Sequence, residues 1–436
     1  MQNQGIRDAR SLGTPKMLVL GLQHMFAMFG ATVLVPALTG LSVSATLLFA
    51  GLGTLFFHFL TKGKVPAFLG SSFAYLAGYA AIAPNGETAL LPYACVGVAA
   101  SGLLYLILSA LVRGFGANRV MRFFPPVVTG PIIICIGMTL ANSAINNCTG
   151  SWDIALVAIL TVVIFNIWGK GMLRIIPILL GVLVSYAYAA VTGRVDFSGV
   201  ASAAWIGLPV KMENTVFSLI GNCDVNLLVT AIIAIMPIAF ATMIEHIGDI
   251  CAISSTVGEN YVEKPGLHRT LMGDGLATAM AALFGAPANT TYGENTGVLA
   301  MTKVYDPRVI RIAAVLAILF SFCPKFAAIV SAMPTATIGG VSMILYGMIS
   351  AVGVRNVVEN QVDFTRNRNI IIAALIMSLS LGITFSGTGK LVLGSISLTG
   401  LAVGALVGIV LNAVLPGNDY QFGKSEQGDT SVNFKV

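Results

Sequence analysis

Between Gly285 and Lys303 the chain reads GAPANTTYGENTGVLAMTK, and this stretch limits the folds open to it. Its first third is small, polar and β-branched, and Pro287 bars a continuous helix on its N-terminal side. From about Gly293 the residues suit a buried helix, yet only about ten remain before Lys303. Ten helical residues rise about 15 Å, whereas a membrane span needs about 20 residues. The stretch therefore predicts an extended strand leading into a half-helix that begins near the middle of a membrane. Non-helical backbone survives at that depth only where protein or a polar cavity satisfies it. Glu294 stands at the start of the half-helix, and an ionisable residue there is a candidate for function.

The membrane setting follows from composition. Of 436 residues, 56% are hydrophobic and 10% charged, against about 25% charged in soluble domains. Mean hydropathy is +0.87. The net charge of +6 is spread over loops, with no basic stripe interleaved with aromatics, so nucleic acid is not an expected partner. Six cysteines without paired spacing and four unclustered histidines predict neither a structural metal nor a cofactor. Cys148 and Cys223 fall in predicted outer loops where they could pair, though single apolar fillers fit better. The polar first sixteen residues and the lack of a small-residue cleavage site argue against a signal peptide.

Apolar segments run about 17–40, 43–61, 70–83, 89–112, 125–144, 154–169, 175–193, 227–256, 267–285, 288–302, 309–332, 335–352, 369–386 and 394–415. Segments 3 and 10 are too short for ordinary spans. With both termini cytoplasmic, twenty of the 24 basic residues fall on the inner side, as the positive-inside bias requires. Only Arg194, Lys211, Lys325 and Lys390 remain outside. The outer loop 194–225 is the longest, with Trp205 as an interfacial anchor, and the tail after Pro416 is polar and expected to be disordered.

A weak internal repeat runs through these segments. Gln23-His24 corresponds to Glu245-His246, and Ser71-Ser72-Phe73-Ala74 to Thr290-Thr291-Tyr292-Gly293. The run beginning Phe124-Pro125-Pro126 resembles that beginning Met333-Pro334-Thr335. Seven spans per half is odd, so the halves must enter the membrane in opposite orientation. The expected fold is an all-α polytopic membrane protein of 14 segments in a 7+7 inverted repeat, with segments 3 and 10 broken by short strands. An inverted repeat with two interrupted segments points to a secondary transporter.

Two half-helix N-termini, after Ser72-Phe73 and after Tyr292-Gly293, would offer free N–H groups and positive dipole ends to carbonyls or anions. Gly293 would let backbone approach a ligand, and Phe73 and Tyr292 could present flat faces to a planar ring. Thr291 and Ser72 are supporting candidates, although Ser/Thr pairs also serve plain helix packing. Glu245 and Asp249, four apart, share a helix face, and Glu294 enters from segment 10. No Lys or Arg in the predicted spans balances these acids, so at least one is expected to hold a proton. Asp274 could be a neutral carboxyl bonded to neighbouring backbone, and it has no assigned role. His24 and His246 suit polar packing better than ligation, His58 and His268 look interfacial, and Ser342 and Tyr346 could line an opposite wall.

The run AxxTTYGENTGVLAMTKVYD, with GLQHMFAMFGATVLVP, GSSFAY and EHIGD, resembles the uracil permeases of the nucleobase–ascorbate transporter family over residues 15–415. The resemblance implies a core domain (17–114 and 226–332) and a gate domain (120–195 and 333–416), flanked by cytoplasmic tails 1–16 and 417–436. It implies uracil–proton symport in the cell membrane by an elevator-like movement, with a homodimer through the gate domain. By position, Glu245 and Glu294 would hold the base through its N–H groups, and backbone around Phe73, Tyr292 and Gly293 would serve its carbonyls. Purine-transporting relatives typically carry Gln at the position of Glu294, and some uracil permeases carry His at that of Asp249. The coupled proton is expected on the Glu245/Asp249 pair, with Glu294 or His246 as alternatives. A purine or broader nucleobase carrier, or one driven by Na⁺, is the runner-up. An anion channel or exchanger is disfavoured by the three acids. An enzyme is disfavoured by the absence of HExxH, GxSxG or a Cys/His pair.

Overall fold

The computed structural model describes residues 5–174, 176–393, 396–417 and 420. The tail expected over 417–436 lies almost wholly outside the described residues. The chain opens with α1 (Thr14–Thr39), α2 (Val43–Leu60) and the strand β1 (Leu69–Ser71). A 3-10 turn, Phe73–Tyr75, leads into α3 (Leu76–Ile82), and α4 (Leu91–Phe115) follows. Next come the short α5 (Ala117–Met121), then α6 (Pro126–Cys148), α7 (Trp152–Ile167) and α8 (Pro177–Val191). Beyond the short α9 (Ser198–Ser202) lie α10 (Val225–Ile235), α11 (Ala239–Val257) and α12 (Leu267–Leu283). The strand β2 (Asn289–Thr291) then precedes the ten-residue α13 (Gly293–Thr302). After it come α14 (Pro307–Ser321), α15 (Pro324–Ser331), α16 (Thr335–Glu359) and α17 (Asn367–Thr384). A hairpin of β3 (Lys390–Leu393) and β4 (Ile396–Thr399) leads into α18 (Gly400–Val414).

The fold is mostly helical. Among the described residues seven helices are long and apolar enough to cross a membrane, or eight if α14 and α15 form one bent span. Local chemistry sets several ends. Asp224, Asp306 and Thr399 cap α10, α14 and α18 through side-chain oxygens, and Gly40 closes α1 in the left-handed conformation.

Three apolar segments differ from their expected form. Segment 8 (227–256) is interrupted by a 3-10 turn at Met236–Ile238, because Pro237 brings no amide hydrogen to a continuous helix. Segment 11 (309–332) bends by 87° between α14 and α15, where Pro324 opens the second helix. Segment 14 (394–415) begins as strand β4, and its helix starts only at Gly400 behind the Thr399 cap.

β1 and β2 pair antiparallel, with Leu69 opposite Thr291, Gly70 opposite Thr290 and Ser71 opposite Asn289. The ladder extends through Ser72 N donating to Ala288 O (2.8 Å) and Tyr292 N to Phe68 O (3.0 Å). Helix side chains satisfy the outer edges. Leu69 N donates to Thr54 Oγ1 (2.9 Å) and Thr278 Oγ1 to Asn289 O (2.8 Å), while the Asn289 side chain of β2 donates Nδ2 to Phe49 O of α2 (3.0 Å). His58, expected at an interface, is instead buried, with Nε2 2.9 Å from Ala67 O on the approach to β1. That bond anchors irregular backbone that has no water to turn to.

Around this pair, α12 packs on α4 and α2, and α14 on α2 and α1. Separately, α16 packs on α6 and α7, α17 on α18 and α6, and α7 on α8. The described part of the N-terminal tail is docked rather than free. Ile6 bridges Val304, with Ile6 N donating to Lys303 O (2.7 Å) and Tyr305 N to Ile6 O (2.8 Å). Ala9 N donates to Asp306 Oδ2 (2.8 Å), and Arg308 pairs with both Asp8 and Asp306 at 2.9 Å. Arg7 pairs with Glu259 and donates to Val257 O (3.1 Å). Hydrogen bonds from Arg10 hold the Asp8 carboxyl down at about 2.

Candidate functional site

The unbroken helix α11 places Glu245 and Asp249 on one face, both half-buried. It packs against α13, whose first residue, Gly293, is exposed and whose second, Glu294, is half-buried. A Cβ built on Gly293 would meet only Asp249 Oδ1, at 3.9 Å. The glycine thus leaves open space at the helix mouth that any side chain would narrow. Thr291, the last residue of β2, donates its hydroxyl to Asp249 Oδ2 at 2.8 Å. Glu245 lies within electrostatic reach of Asp249, Asp274 and Glu294.

Both half-helices start without a side-chain cap, at Ser72 and at Tyr292. First-turn N–H groups are left for another acceptor. Tyr292 N itself is spent in the strand ladder, so the free donors begin at Gly293. Ser72 Oγ and Thr290 Oγ1 are buried with no hydrogen-bond partner.

The two aromatic candidates behave differently. Tyr292 is 4% exposed, with its ring folded under β1 against Gly70, where a Cβ would collide with it. Its hydroxyl donates to Ser71 O (2.9 Å) and receives Thr32 Oγ1 (3.3 Å). It braces the strand pair rather than offering a free face, because a buried phenol hydroxyl takes the nearest backbone carbonyl. Phe73 sits edge-on to Tyr346, ring centroids 5.9 Å apart. Ser342 lies one turn before Tyr346 on α16, and both hydroxyls are buried without a hydrogen-bond partner.

The histidines are buried beside the site. His24 of α1 meets Asn295 of α13, which donates to His24 O at 3.1 Å and lies 3.2 Å from its Nδ1. Asn295 was not anticipated, although an amide beside Glu294 in a short apolar helix was a readable signal. His246 Nδ1 lies 3.2 Å from Asp274 Oδ2, and both side chains are fully buried. The alignment is too poor for a hydrogen bond, so this is a close polar contact. Asp274 therefore faces a histidine rather than backbone. Cys148 and Cys223 are free thiols, and no group of three or more metal-binding side chains stands together among the described residues.

The sequence profile of the Permease family matches residues 15–388. The chain belongs to this permease family. It is 42% identical to the uracil permease of Bacillus caldolyticus, covering 94% of each protein. It is 39% identical to the uracil permease of Bacillus subtilis (strain 168), covering 100% of this chain and 99% of that one. These relatives agree with the resemblance carried by the TTYGENTG and EHIGD motifs. The fold is similar to the transmembrane domain of a cyanobacterium bicarbonate transporter, BicA, at a TM-score of 0.57 and 14% identity. That likeness covers 94% of this chain and 100% of BicA's domain. With its apolar helices, this permease is a multi-pass membrane protein and a transporter rather than an enzyme.

Proposed function

We propose that the chain imports uracil together with a proton. The observation that carries this reading is the meeting of α11 and the mouth of α13. There the carboxyls of Glu245, Asp249 and Glu294 stand beside uncapped N–H groups. Uracil presents two N–H donors and two carbonyl acceptors on one planar ring. Carboxylates are acceptor-only groups and suit the N–H donors, and helix N-termini suit the carbonyls. The names of the two relatives support the same substrate. Glu245 and Glu294 contact the base, and Phe73, with Tyr346 behind it, closes one side. Asp249, already bonded to Thr291, takes the coupled proton with Glu245.

The packing supports a core of α1–α4 and α10–α15 moving against a gate of α6–α8 and α16–α18. The antiparallel pairing of β1 with β2 supports a 7+7 inverted repeat of fourteen segments. Loop charge supports cytoplasmic termini, and a homodimer would form through the gate. Radiolabelled uracil uptake into proteoliposomes, with pH and Na⁺ gradients imposed separately, tests transport and coupling. Accumulation driven by an inward proton gradient is expected, and strict Na⁺ dependence at fixed pH would overturn the coupling. A thermal-shift screen in which xanthine stabilises the protein and uracil does not would overturn the substrate.

A further inference from the structure

A cavity of about 520 Å³ lies between α4, α11, α18 and the α5 connection, away from the acids of the candidate site. This is within the usual range for small-molecule pockets, about 300–1,000 Å³. Its floor is buried and apolar, formed by Leu108, Phe124 and Met243, with Ile409 of α18 on the facing side. Its rim carries Phe115, which is 60% exposed. Among the lining residues Arg119 alone is polar.

Charge at the mouth is one-sided. The chain has no Asp or Glu from residue 88 to residue 152, and Arg119 of α5 stands on the cleft. Arg119 is exposed, and it takes part in no ion pair or hydrogen bond among the described residues. An apolar cleft with an unpaired cation at one end matches an amphipathic ligand with an anionic head. Basic pockets between membrane helices on the cytoplasmic side are where such headgroups bind. A water-soluble anion would leave the apolar floor uncovered, and a neutral lipid would leave Arg119 unanswered.

We propose that this cleft holds one anionic phospholipid, an acyl chain against Leu108 and Met243 and the phosphate at Arg119. Met243 lies two residues before Glu245 on α11, whereas Ile409 belongs to α18. The lipid therefore sits on the seam between the two packed groups of helices and touches the helix that carries the site. Its occupancy would favour the arrangement that keeps this cleft open.

The test uses the purified full-length chain, delipidated in detergent and offered phosphatidylglycerol or phosphatidylcholine, with retained lipid counted by native mass spectrometry. One phosphatidylglycerol per chain is expected to survive in preference to phosphatidylcholine. Arg119→Gln should weaken retention roughly fivefold, the usual worth of one arginine near an anionic headgroup. Leu108→Trp should fill the cleft and abolish retention, while Arg174→Gln, in another basic loop, should change nothing. Uracil binding measured on the same samples reports folding by a readout other than the lipid count. Equal retention of both lipids, or retention indifferent to Arg119→Gln, would overturn the site. Sensitivity to Arg119→Gln with full retention in a folded Leu108→Trp would reduce it to a surface charge effect and overturn the cleft.

Discussion

Thr291→Val removes one oxygen from the site and keeps the β-branched shape that strand β2 favours. It deletes the 2.8 Å hydrogen bond to Asp249 Oδ2. Hydrogen bonds to charged groups contribute about 1.5–3 kcal/mol, and those between neutral groups about 0.5–1.5 kcal/mol. The cost of the substitution therefore reports the charge on Asp249. If Asp249 takes the coupled proton, the bond is the stronger kind when the carboxyl is ionised and the weaker kind once it is protonated. A double-mutant cycle of Thr291→Val with Asp249→Ala isolates this pair. Equilibrium unfolding in mixed detergent micelles, run at pH 5.5 and pH 8.5, would supply the four stabilities. The coupling energy should be near 1.5–3 kcal/mol at the higher pH and fall to about 0.5–1.5 kcal/mol at the lower one. A coupling that does not change with pH would mean that Asp249 holds one protonation state throughout, and the proton would have to be carried elsewhere.

Glu294→Gln gives an acceptor-only group a competing donor at nearly constant volume, so uracil affinity should fall roughly 5- to 150-fold with expression intact. Isothermal titration showing unchanged affinity would remove Glu294 from the contact set. Asp249→Asn mimics a permanently protonated acid; it should keep uracil exchange between liposome faces yet lose uphill accumulation, and full proton-driven accumulation would refute its role. His246→Phe replaces the polar ring facing the fully buried Asp274 with an apolar one and should destabilise the chain in unfolding experiments, with part of the loss recovered by adding Asp274→Leu. Because Arg10 holds Asp8 down at about 2, the contribution of ionised Asp8 is complete above the ordinary value of 3.8 and lost as pH falls through about 2. Limited proteolysis of the N-terminal segment should thus be flat from pH 5 to 8, and sensitivity that rises within that window would count against the Asp8–Arg308 latch.

Residues whose role is set by local chemistry were legible in the sequence. Pro287 and the short apolar run after Gly293 required a strand and a half-helix, and β2 and α13 occupy that stretch. Glu245 and Asp249 had to share a face of any regular helix, as they do on α11. What depends on distant partners was not legible. The Tyr292 hydroxyl finds Ser71 O across 221 positions, and Asn295 finds His24 across 271. Both side chains are tied back into the scaffold, a commitment that spacing alone cannot reveal. Pro237 and Pro324 were visible, yet apolar residues on both sides hid the breaks in segments 8 and 11. Hydropathy measures burial and is silent on backbone direction.

The strand pair also explains why one site is shared by two distant parts of the chain. Three residues of extended backbone, buried alone, would leave donors and acceptors unmatched at a cost no three-residue strand could offset. Paired, Leu69–Ser71 and Asn289–Thr291 satisfy each other, Thr54 and Thr278 bond the outer edges, and the Asn289 side chain ties β2 to Phe49 O of α2. Each half-helix must then start where its strand ends, so both uncapped N-termini are fixed by the same ladder. Thr291 joins this ladder to Asp249, and Tyr292 joins it to Ser71 and Thr32. A ligand bound between the half-helices therefore pulls on a single rigid unit. A substitution such as Gly70→Ala, which would collide with the Tyr292 ring more than two hundred residues away in sequence, should disturb the α13 end as much as its own.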